Sequence, residues 1–449
     1  MKLLVDLQGA QSTSSGTRGI GRYSRALVEA MAQSAGSHEL LVGLNDAFPD
    51  TVQPIRGALS NLLAPENIIC WKSLGKTAEW DPINLARKNA SDVLRDSFLA
   101  AQNPDIVHIS SFIEGFGDDA ITSIGPLVGE QATAVTLYDL IPLIHNQLYL
   151  SDPRFKAWYE GKIKTLGQAG LLLAISESSR QEAIDFLNIS PSRVVNISTA
   201  ADSRFRRIDI PPDEAVALRS RYGLVRPFVM YTGGIDHRKN IEGLISAFAA
   251  LPADVRARHQ LAVICSASTD SMSALKSHAK RHGLRENDLV MTGFVPDNDL
   301  VALYNLCEVF CFPSLHEGFG LPALEAMQCG APTIGSNVSS IPEVIGRKDA
   351  LFDPRKEQDI TARLNQALSD ENYRESLVKH GLEQAKKFSW DESARRAWSA
   401  FEDHYERIQA CKKTISSVAS QKRQRLAYIS PLPPERTGIC LLYTSLMAR

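Results

Sequence analysis

Residues 309–330 of the chain read VFCFPSLHEGFGLPALEAMQCG. An apolar run of strand length opens this stretch, a short loop follows, and the remainder has the composition of a helix. Pro322 fits the first turn of that helix, where its fixed φ angle is favourable, and Gly330 fits the position after the last turn. The stretch therefore predicts a strand, a loop and a helix, with free backbone N–H groups near Gly320 and Leu321 that favour a bound phosphate.

Short runs rich in Val, Ile and Leu recur before and after this stretch, separated by amphipathic segments of helical length. Parallel strands that are covered by helices on both faces have this pattern. The first half of the chain contains runs at residues 2–7, 39–44, 105–110, 133–139, 171–176 and 194–199. The second half contains runs at residues 228–232, 260–266, 289–294, 309–314 and 332–336. We therefore predict an α/β protein with two doubly wound, Rossmann-like domains whose ligand site lies at the carboxyl ends of the strands.

The two series of runs divide near residue 210, where Pro211 and Pro212 interrupt the pattern. We predict an N-terminal domain over residues 1–210, a C-terminal domain over 211–388 and a long helix over 389–410, with Ser389 as its N-cap. Residues 411–425 are polar and basic without an apolar period, which predicts a linker. Residues 426–439 are similar to residues 3–20, so residues 411–449 are predicted to be a linker and the truncated start of a further domain in a longer tandem chain.

The composition excludes several classes of protein. Hydrophobic residues make up 44% of the 449 residues and charged residues 22%, which is typical of a globular protein and not of a disordered or collagen-like chain. Lys and Arg (49) nearly balance Asp and Glu (51), so the formal charge of -2 indicates no nucleic-acid partner. Because no apolar run reaches the ~18 residues of a transmembrane helix, we expect a cytoplasmic protein with at most peripheral membrane contact.

Neither the cysteines nor the acidic pairs indicate a metal site. The seven cysteines are scattered, which is typical of reduced thiols. Cys307 and Cys311 lack a second pair of zinc ligands, so core packing is the favoured interpretation. Asp297 and Asp299 match the Asp-x-Asp pattern of metal-dependent sugar transferases, but they precede an amphipathic segment and we interpret them as helix caps.

Two carboxylates flank the predicted phosphate loop. Glu317 lies in the loop and Glu325 early in the helix, with seven residues between them. A carboxylate accepts hydrogen bonds from neighbouring hydroxyls, so one glutamate could hold a ribose and the other a transferred sugar if the ligand were a sugar nucleotide. The alternative is that Glu325 is an acid at a helix start and Glu317 a solvated loop charge.

A second group of residues follows the first predicted strand of the C-terminal domain. Gly233 and Gly234 would let a ligand approach the backbone, and Arg238 and Lys239 place two cations at the carboxyl end of the strand. Each cation would contribute roughly 4 kcal/mol of Coulomb attraction to a diphosphate charge ~4 Å away, before desolvation is subtracted. The alternative is an exposed basic pair at the start of a helix.

The N-terminal domain offers less specific candidates. Gly19 and Gly21 follow its first strand and open a helix, which fits either a phosphate or acceptor loop or a plain tight turn. Asp139 ends another strand and could face a cleft between the domains. Ser179 and Glu182 fit a helix capping box, which favours a structural role for them.

Together these residues resemble the retaining glycosyltransferases of family 4, the group 1 glycosyltransferases. This family has the GT-B fold, in which two Rossmann-like domains face a central cleft and a C-terminal helix crosses back to the first domain. The resemblance covers about residues 1–408 and is most specific over 317–325. Many members carry a His-Asp pair where this chain has Tyr138-Asp139, so no active-site histidine is carried over and Asp139 takes its place.

The resemblance also implies the roles of particular residues. Arg238 and Lys239 would bind the donor diphosphate, Glu317 the donor sugar and its phosphate side, and Glu325 the ribose. The catalytic set implied in this way is Glu317, Arg238, Lys239 and Asp139. The residues expected to contact the donor are Gly233, Gly234, Gly318, Phe319, Gly320, Leu321, Glu325, Gly19 and Gly21, of which the last two lie against either donor or acceptor.

The sequence therefore predicts a metal-independent glycosyltransferase without a cofactor, which moves a sugar from a nucleotide diphosphate donor to a glycan or glycolipid hydroxyl with retention of configuration. The segments around Tyr138 and at 174–180 are similar to those of mannosyltransferases that build bacterial surface polysaccharides, which implies GDP-mannose as the donor. A sugar-nucleotide epimerase of the same fold is one alternative, although no general base for the sugar is evident. A non-catalytic sugar-binding subunit is another.

Overall fold

The computed structural model describes residues 1–419 and the side chains of residues 1–411. The described residues divide into two units after Tyr405, and the first unit, Met1–Tyr405, contains two parallel β-sheets. The described part of the second unit, residues 406–419, is helical. The predicted strand and loop at 426–439 lie outside the described residues.

The N-terminal domain is built on a sheet of seven parallel strands in the order β3-β2-β1-β4-β5-β6-β7. Its strands are β1 (Lys2–Asp6), β2 (Glu39–Asn45), β3 (Ile68–Trp71), β4 (Ile106–Ile109), β5 (Thr133–Leu137), β6 (Leu171–Ala174) and β7 (Val194–Asn196). Val5 in the central strand aligns with Val42 and His108 on either side. Leu3 and Leu4 point into separate hydrophobic cores, so both faces of the sheet are packed, as the continuous apolar runs predict.

The C-terminal domain is built on six parallel strands in the order β10-β9-β8-β11-β12-β13. These strands are β8 (Phe228–Thr232), β9 (Gln260–Ile264), β10 (Leu289–Met291), β11 (Val309–Phe312), β12 (Thr333–Ser336) and β13 (Leu351–Phe352). The prediction of two Rossmann-like sheets is confirmed, whereas β3 and β13, each an edge strand of its sheet, were missed. The predicted division near residue 210 lies between β7 and β8 and stays a prediction.

Helices fill the connections between the strands. They are α1 (Gly19–Gln33), α2 (Pro49–Leu59), α3 (Leu85–Ala101), α4 (Ile141–Ile144), α5 (Asn146–Tyr149), α6 (Pro153–Leu166), α7 (Glu177–Leu187), α8 (Pro212–Arg221), α9 (Ile241–Ala249), α10 (Ala253–Arg258), α11 (Thr269–Arg281), α12 (Asp297–Leu306), α13 (Leu321–Gln328), α14 (Ile341–Ile345), α15 (Glu357–Ser369), α16 (Glu371–Ala385) and α17 (Trp390–Ala419). No helix within residues 1–419 is both long enough and apolar enough to span a membrane.

The corner between β11 and α13 has the predicted form. Gly320 precedes the helix at a φ of 104°, a left-handed conformation that favours glycine. Gly330 follows it at a φ of 76°, and its N–H donates to Met327 O at 3.0 Å while Ala331 N–H donates to Ala326 O at 2.9 Å. These two hydrogen bonds close the last turn as a Schellman motif. The backbone of the corner is therefore fixed at both ends of the helix.

Helix α17 returns to the N-terminal domain. Ser389 Oγ accepts a hydrogen bond from Glu392 N–H at 3.1 Å, so the predicted N-cap is confirmed. Trp398 donates from Nε1 to Met31 O at 3.2 Å, and Phe401 packs against His108 with ring centroids 5.4 Å apart. The predicted crossing of the C-terminal helix onto the first domain is confirmed.

Helix α17 also extends beyond its predicted end at residue 410, to Ala419. The predicted helix end is therefore too early, whereas the assignment of residues 411–425 as a linker stays a prediction. No glycine or proline interrupts these nine residues, and adding a residue to an existing helix costs far less than nucleating one. A polar segment without an apolar period can thus continue a helix that a packed segment has started. The remaining predicted linker, from residue 420, lies outside the described residues.

The packing of α17 predicts a large loss of stability on truncating Trp398, which is 5% exposed. We expect Trp398→Ala to lower the free energy of unfolding by about 3–5 kcal/mol, the range for buried Trp-to-Ala changes. Urea unfolding followed by circular dichroism measures it. Trp80→Ala is the matched control, because Trp80 is 52% exposed and its loss should cost about 0.5 kcal/mol or less. Equal losses in the two variants would contradict the account of α17.

Candidate functional site

Two cations and a glutamate meet where β8 and β11 end. These strands are neighbours, so the loop after β8 and the loop after β11 lie side by side. Lys239 Nζ lies 2.5 Å from Glu317 Oε1, and Arg238 Nη1 lies 2.9 Å from Glu317 Oε2. Arg238 Nη1 also donates to His316 O at 3.0 Å. We call Arg238, Lys239 and Glu317 the ion triad.

Lys239 and Glu317 are buried, Arg238 is partly exposed, and Glu317 is ionised. Burial alone would raise the pKa of Glu317, but the charges of Lys239 and Arg238 outweigh it and lower that pKa below its usual value. Asp236 Oδ1 lies 3.8 Å from Arg238 Nε, so two carboxylates balance the two cations. Arg238 and Lys239 can therefore bind an anion, but an incoming anion must compete for them with Glu317 and Asp236.

The loop after β8 is held in one shape by its own hydrogen bonds. Tyr231 donates from its hydroxyl to Gly234 O at 2.6 Å, and Arg238 N–H donates to Asp236 Oδ1 at 3.0 Å. Gly233 has a φ of 144°, and a Cβ atom there would lie 2.9 Å from the Tyr231 hydroxyl. Gly233 and Gly234 thus set the course of the loop toward Arg238.

The end of β5 in the N-terminal domain lies against the ion triad's loop. A Cβ atom on Gly318 would lie 2.7 Å from Tyr138 O and 3.2 Å from Asp139 Cβ, so only glycine permits this approach. Ser179 Oγ lies within hydrogen-bond distance of Tyr138 O at 2.8 Å and of Gly318 O at 3.2 Å. Burial raises the pKa of Asp139, against the opposing effects of a hydrogen bond from Ile141 N–H and the charge of Arg238. The two domains therefore meet where Asp139 was expected to face a cleft.

Tyr138 occupies the position where many members of the resembling family carry histidine, and its hydroxyl is hydrogen-bonded within the protein. Its hydroxyl donates to Ser110 O at 2.9 Å and lies 3.0 Å from Ser24 Oγ. Burial raises the pKa of Tyr138 far above its usual value. The tyrosine therefore stays protonated and positions the strand end without acting as a base.

A chain of three side chains joins the domains beside the ion triad. His316 Nε2 lies 2.8 Å from Glu182 Oε1, and His316 Nδ1 lies 2.9 Å from His145 Nε2. Since a carboxylate only accepts, His316 carries its proton on Nε2 and accepts from His145 when neutral. Burial lowers the pKa of His145, and a positive charge on His316 would lower it further. We call these residues the histidine bridge.

The histidine bridge was not predicted from the sequence. Ser179 and Glu182 were assigned to a capping box, but Ser176 is the N-cap of α7 and accepts from Ser179 N–H at 2.9 Å. Glu182 is instead turned to His316 of the other domain. His316 stands in the most specific motif, but nothing in the sequence connects it with His145, because the two are 171 residues apart.

Glu325 lies on α13 and lines a cavity of about 740 Å³. Both domains contribute to this cavity, Gly19 and Arg22 from one and Leu321 and Glu325 from the other. Its volume is within the usual range for small-molecule sites, ~300–1,000 Å³. Among the described residues that line this cavity, none belongs to the ion triad. In sequence, the segment 318–320 separates Glu317 of the triad from Leu321 of the cavity lining.

The predicted glycines and Phe319 differ in what they can offer a ligand. Gly19 lines the cavity, whereas a Cβ atom on Gly21 would lie 2.2 Å from Gly16 O, so Gly21 serves the tight turn of its own loop. Phe319 is buried with its ring against Phe388, at a centroid distance of 5.5 Å. Only the backbone of Phe319 is therefore available to a ligand.

Burial raises the pKa of Glu325 to about 7. Tyr304 donates to Glu325 Oε2 at 3.0 Å and opposes this shift, as does the charge of Arg22. The glutamate therefore changes its charge near neutral pH. A carboxylate with this pKa can accept hydrogen bonds from ligand hydroxyls once it is ionised.

The Asp-x-Asp segment starts α12, but its acids are not caps. Pro296 is the N-cap, and Asp297 Oδ2 lies 2.5 Å from Arg204 Nη1. Asp299 Oδ2 lies 2.8 Å from Arg221 Nη1. The capping interpretation is wrong, because both carboxylates form ion pairs with nearby arginines instead of capping the helix. Cys307 and Cys311 are buried in the core, as predicted.

The two parallel sheets and the returning helix have the architecture of the GT-B fold, and the predicted fold class is confirmed. A family profile described as "Glycosyl transferases group 1" matches residues 222–384. The chain belongs to this family.

The similar proteins include two curated relatives from Escherichia coli. The chain is 38% identical over 445 residues to the serotype-specific mannosyltransferase WbdA, which covers 98% of this chain and 52% of WbdA. It is 35% identical over 269 residues to O-antigen chain mannosyltransferase B, which covers 60% of this chain and 70% of that protein. The chain spans about half the length of WbdA.

A solved structure has the same fold. Anabaena HepE, crystallised in complex with UDP and glucose, matches with a TM-score of 0.61 and 16% sequence identity over 90% of this chain and 99% of that chain.

The raised pKa of Glu325 predicts a pH-dependent effect of Glu325→Gln on stability. The folded chain keeps on Glu325 a proton that the unfolded chain loses near the ordinary value of 4.5, so ionising Glu325 costs stability as the pH rises from about 4.5 to 7. We expect the melting temperature of Glu325→Gln to match that of the unsubstituted chain near pH 4.5 and to exceed it increasingly up to pH 8. A difference independent of pH would contradict the raised pKa.

Proposed function

We propose that the chain transfers mannose from GDP-mannose to a hydroxyl of a glycan or glycolipid acceptor during the synthesis of a bacterial surface polysaccharide. The reaction retains the anomeric configuration and needs no metal ion. Support for the sugar comes from the two relatives, one named a serotype-specific mannosyltransferase and the other an O-antigen chain mannosyltransferase. The guanine nucleotide rests on the sequence motifs around Tyr138.

The ion triad carries the proposal. Arg238 and Lys239 lie at the carboxyl ends of parallel strands, where ligands of open α/β sheets bind, and they hold a carboxylate at 2.9 Å and 2.5 Å. A diphosphate is a stronger competitor for two cations than a single carboxylate, since it carries more charge on more acceptor oxygens. On donor binding, the diphosphate takes over Arg238 and Lys239, and Glu317 turns to the sugar hydroxyls.

The chemical step breaks the bond between sugar C1 and the β-phosphate oxygen and forms a bond between C1 and the acceptor oxygen on the same face of the sugar. The acceptor's hydroxyl proton passes to the departing phosphate oxygen. Negative charge grows on that phosphate as the bond breaks, and Arg238 and Lys239 stabilise it. Electrostatic stabilisation of this kind is usually the largest protein contribution.

Two further carboxylates have positioning roles in the proposal. Glu325 accepts hydrogen bonds from the ribose hydroxyls inside the 740 Å³ cavity. Asp139 lies beside Gly318 and orients a hydroxyl of the sugar or the acceptor. Closing of the two domains around the donor excludes water that would otherwise hydrolyse it.

The direct test is a transfer assay with GDP-mannose and an α-mannose oligosaccharide. We expect an α-linked product, identified by nuclear magnetic resonance, and most of the activity should remain in excess EDTA. Activity that EDTA abolishes and manganese restores would contradict the metal-independent reaction. An isomerised donor would indicate an epimerase, and binding without turnover a sugar-binding subunit.

A pair of substitutions tests the ion triad. Lys239→Met removes a cation, so we expect GDP to bind about 10–100 times more weakly, the range for losing one hydrogen bond to a charged group. Glu317→Gln removes the competing carboxylate, so GDP should bind at least as tightly as to the unsubstituted chain while transfer slows about a hundredfold. Isothermal titration calorimetry and the transfer assay measure the two effects.

Controls separate these effects from unfolding. Breaking a buried ion pair destabilises the fold, so the melting temperature of each variant is recorded alongside. Lys386→Ala removes an exposed lysine paired with Glu383 and should leave GDP binding unchanged. Weaker GDP binding in Glu317→Gln than in Lys239→Met would contradict the assignment of the cations to the diphosphate.

A further inference from the structure

A second cavity, of about 310 Å³, lies in the N-terminal domain and shares no residue with the 740 Å³ cavity. Three aromatic side chains line it, Trp80, Phe116 and Trp158. Charged side chains of both signs surround them, Glu79 and Asp81 against Lys88 and Arg154. We call this cavity the aromatic pocket.

The wall of the aromatic pocket is rigid. Backbone hydrogen bonds join Glu79 N–H to Gly115 O at 3.0 Å and Trp80 N–H to Phe116 O at 2.9 Å, so the segment carrying Trp80 is fixed to its neighbour. Phe116 and Trp158 pack with ring centroids 5.3 Å apart. Trp158 Nε1 donates to Glu79 Oε1 at 3.3 Å. A ligand would meet a preformed surface.

Trp80 is an unusual tryptophan in this chain. It is 52% exposed, whereas Trp71 and Trp398 are 3% and 5% exposed in the core. Leaving a large indole half exposed gains little for folding, and aromatic side chains held rigidly at a surface are typical of binding sites. The position therefore calls for a ligand with an apolar face.

The charges around the aromatic pocket indicate the class of ligand. Lys88 Nζ lies 3.5 Å from Glu79 Oε1, and Arg154 Nη1 lies 3.4 Å from Trp80 O. Because the acidic and basic groups balance, the pocket lacks the cationic excess that binds anionic lipid. A neutral sugar ring matches it, since its C–H face packs on an indole and its hydroxyls both donate to carboxylates and accept from cations.

The aromatic pocket is also connected to the donor side of the chain. Tyr149 donates from its hydroxyl to Asp236 Oδ1 at 2.5 Å, and Asp236 accepts from Arg238 N–H. Arg154, which lines the pocket, follows Tyr149 by five residues, so their Cα atoms lie within about 18 Å of each other. An oligosaccharide of several sugars can span that distance.

We propose that the aromatic pocket binds a non-reacting sugar unit of the acceptor glycan, with Trp80 and Trp158 against the sugar ring. The identity of that sugar as mannose rests on the proposed function. Binding a distant unit adds the same stabilisation to the ground state and the transition state, so it lowers the acceptor's KM and leaves kcat unchanged. The pocket therefore makes the chain prefer long acceptors.

The experiment compares α-mannobiose and α-mannotetraose as acceptors. For the unsubstituted chain, we expect a lower KM for the tetrasaccharide. Trp80→Ala should raise that KM roughly tenfold, the effect of losing one aromatic anchor, without changing kcat or the KM for mannobiose. Trp80→Phe keeps an aromatic face and should stay within about threefold of the unsubstituted KM. Phe186→Ala removes an equally exposed aromatic side chain on α7, 52% exposed, and should behave as the unsubstituted chain.

Direct binding separates this inference from the proposed function. Titration calorimetry with α-mannotetraose should detect binding to the unsubstituted chain and weaker binding to Trp80→Ala, even if no mannose is transferred. Loss of transfer with this binding pattern intact would contradict only the proposed function. Equal tetrasaccharide binding and KM in Trp80→Ala would overturn the aromatic pocket's role, and so would a Trp80-dependent affinity for phosphatidylglycerol vesicles without any effect on the glycan.

Discussion

The arrangement of the site depends on the contact of Glu317 with Lys239 and Arg238. A buried ion pair gains little net stability, because removing both charges from water costs about as much as their attraction returns. The ion triad is thus poorly explained as a support for the fold. It is well explained as two cations at the ends of β8 and β11, which Glu317 neutralises until a more highly charged ligand binds.

The contacts between the domains near this site are polar. Ser179 reaches Gly318 O, Tyr149 reaches Asp236, and the histidine bridge joins Glu182 to His316. Hydrogen bonds of this kind exchange readily with water, whereas an apolar interface resists separation. Relative motion of the domains is therefore the expected behaviour. Because His316 lies next to Glu317 in sequence, such motion would also move the ion triad.

The sequence predicted those parts of the fold whose signal is local. The corner from β11 to α13 followed from Pro322 and Gly330, and all strands with long apolar runs were found. The two strands that were missed, β3 and β13, lie at sheet edges, where β3 is only partly buried and β13 has two residues, and the extension of α17 to Ala419 has no apolar period. Where the fold depends on contacts with other segments instead of a local pattern, the sequence offers little basis for prediction.

The same limit applies to the site. Arg238 and Lys239 were predicted after one strand and Glu317 after another, at the edge where parallel strands end, and the family resemblance assigned all three to the catalytic set. The pairing of His145 with His316 and the aromatic pocket of Trp80 and Trp158 depend on contacts between distant segments. The arginines that bind Asp297 and Asp299 do so too, and for this reason the capping interpretation was wrong.

A crystal structure of the chain with GDP would test the central claim most directly. The account predicts that the β-phosphate lies within hydrogen-bond distance of Arg238 and Lys239, that Glu317 has released at least one of them, and that the ribose hydroxyls face Glu325. A complex in which GDP is bound and the ion triad stays closed, with the phosphates elsewhere, would contradict it.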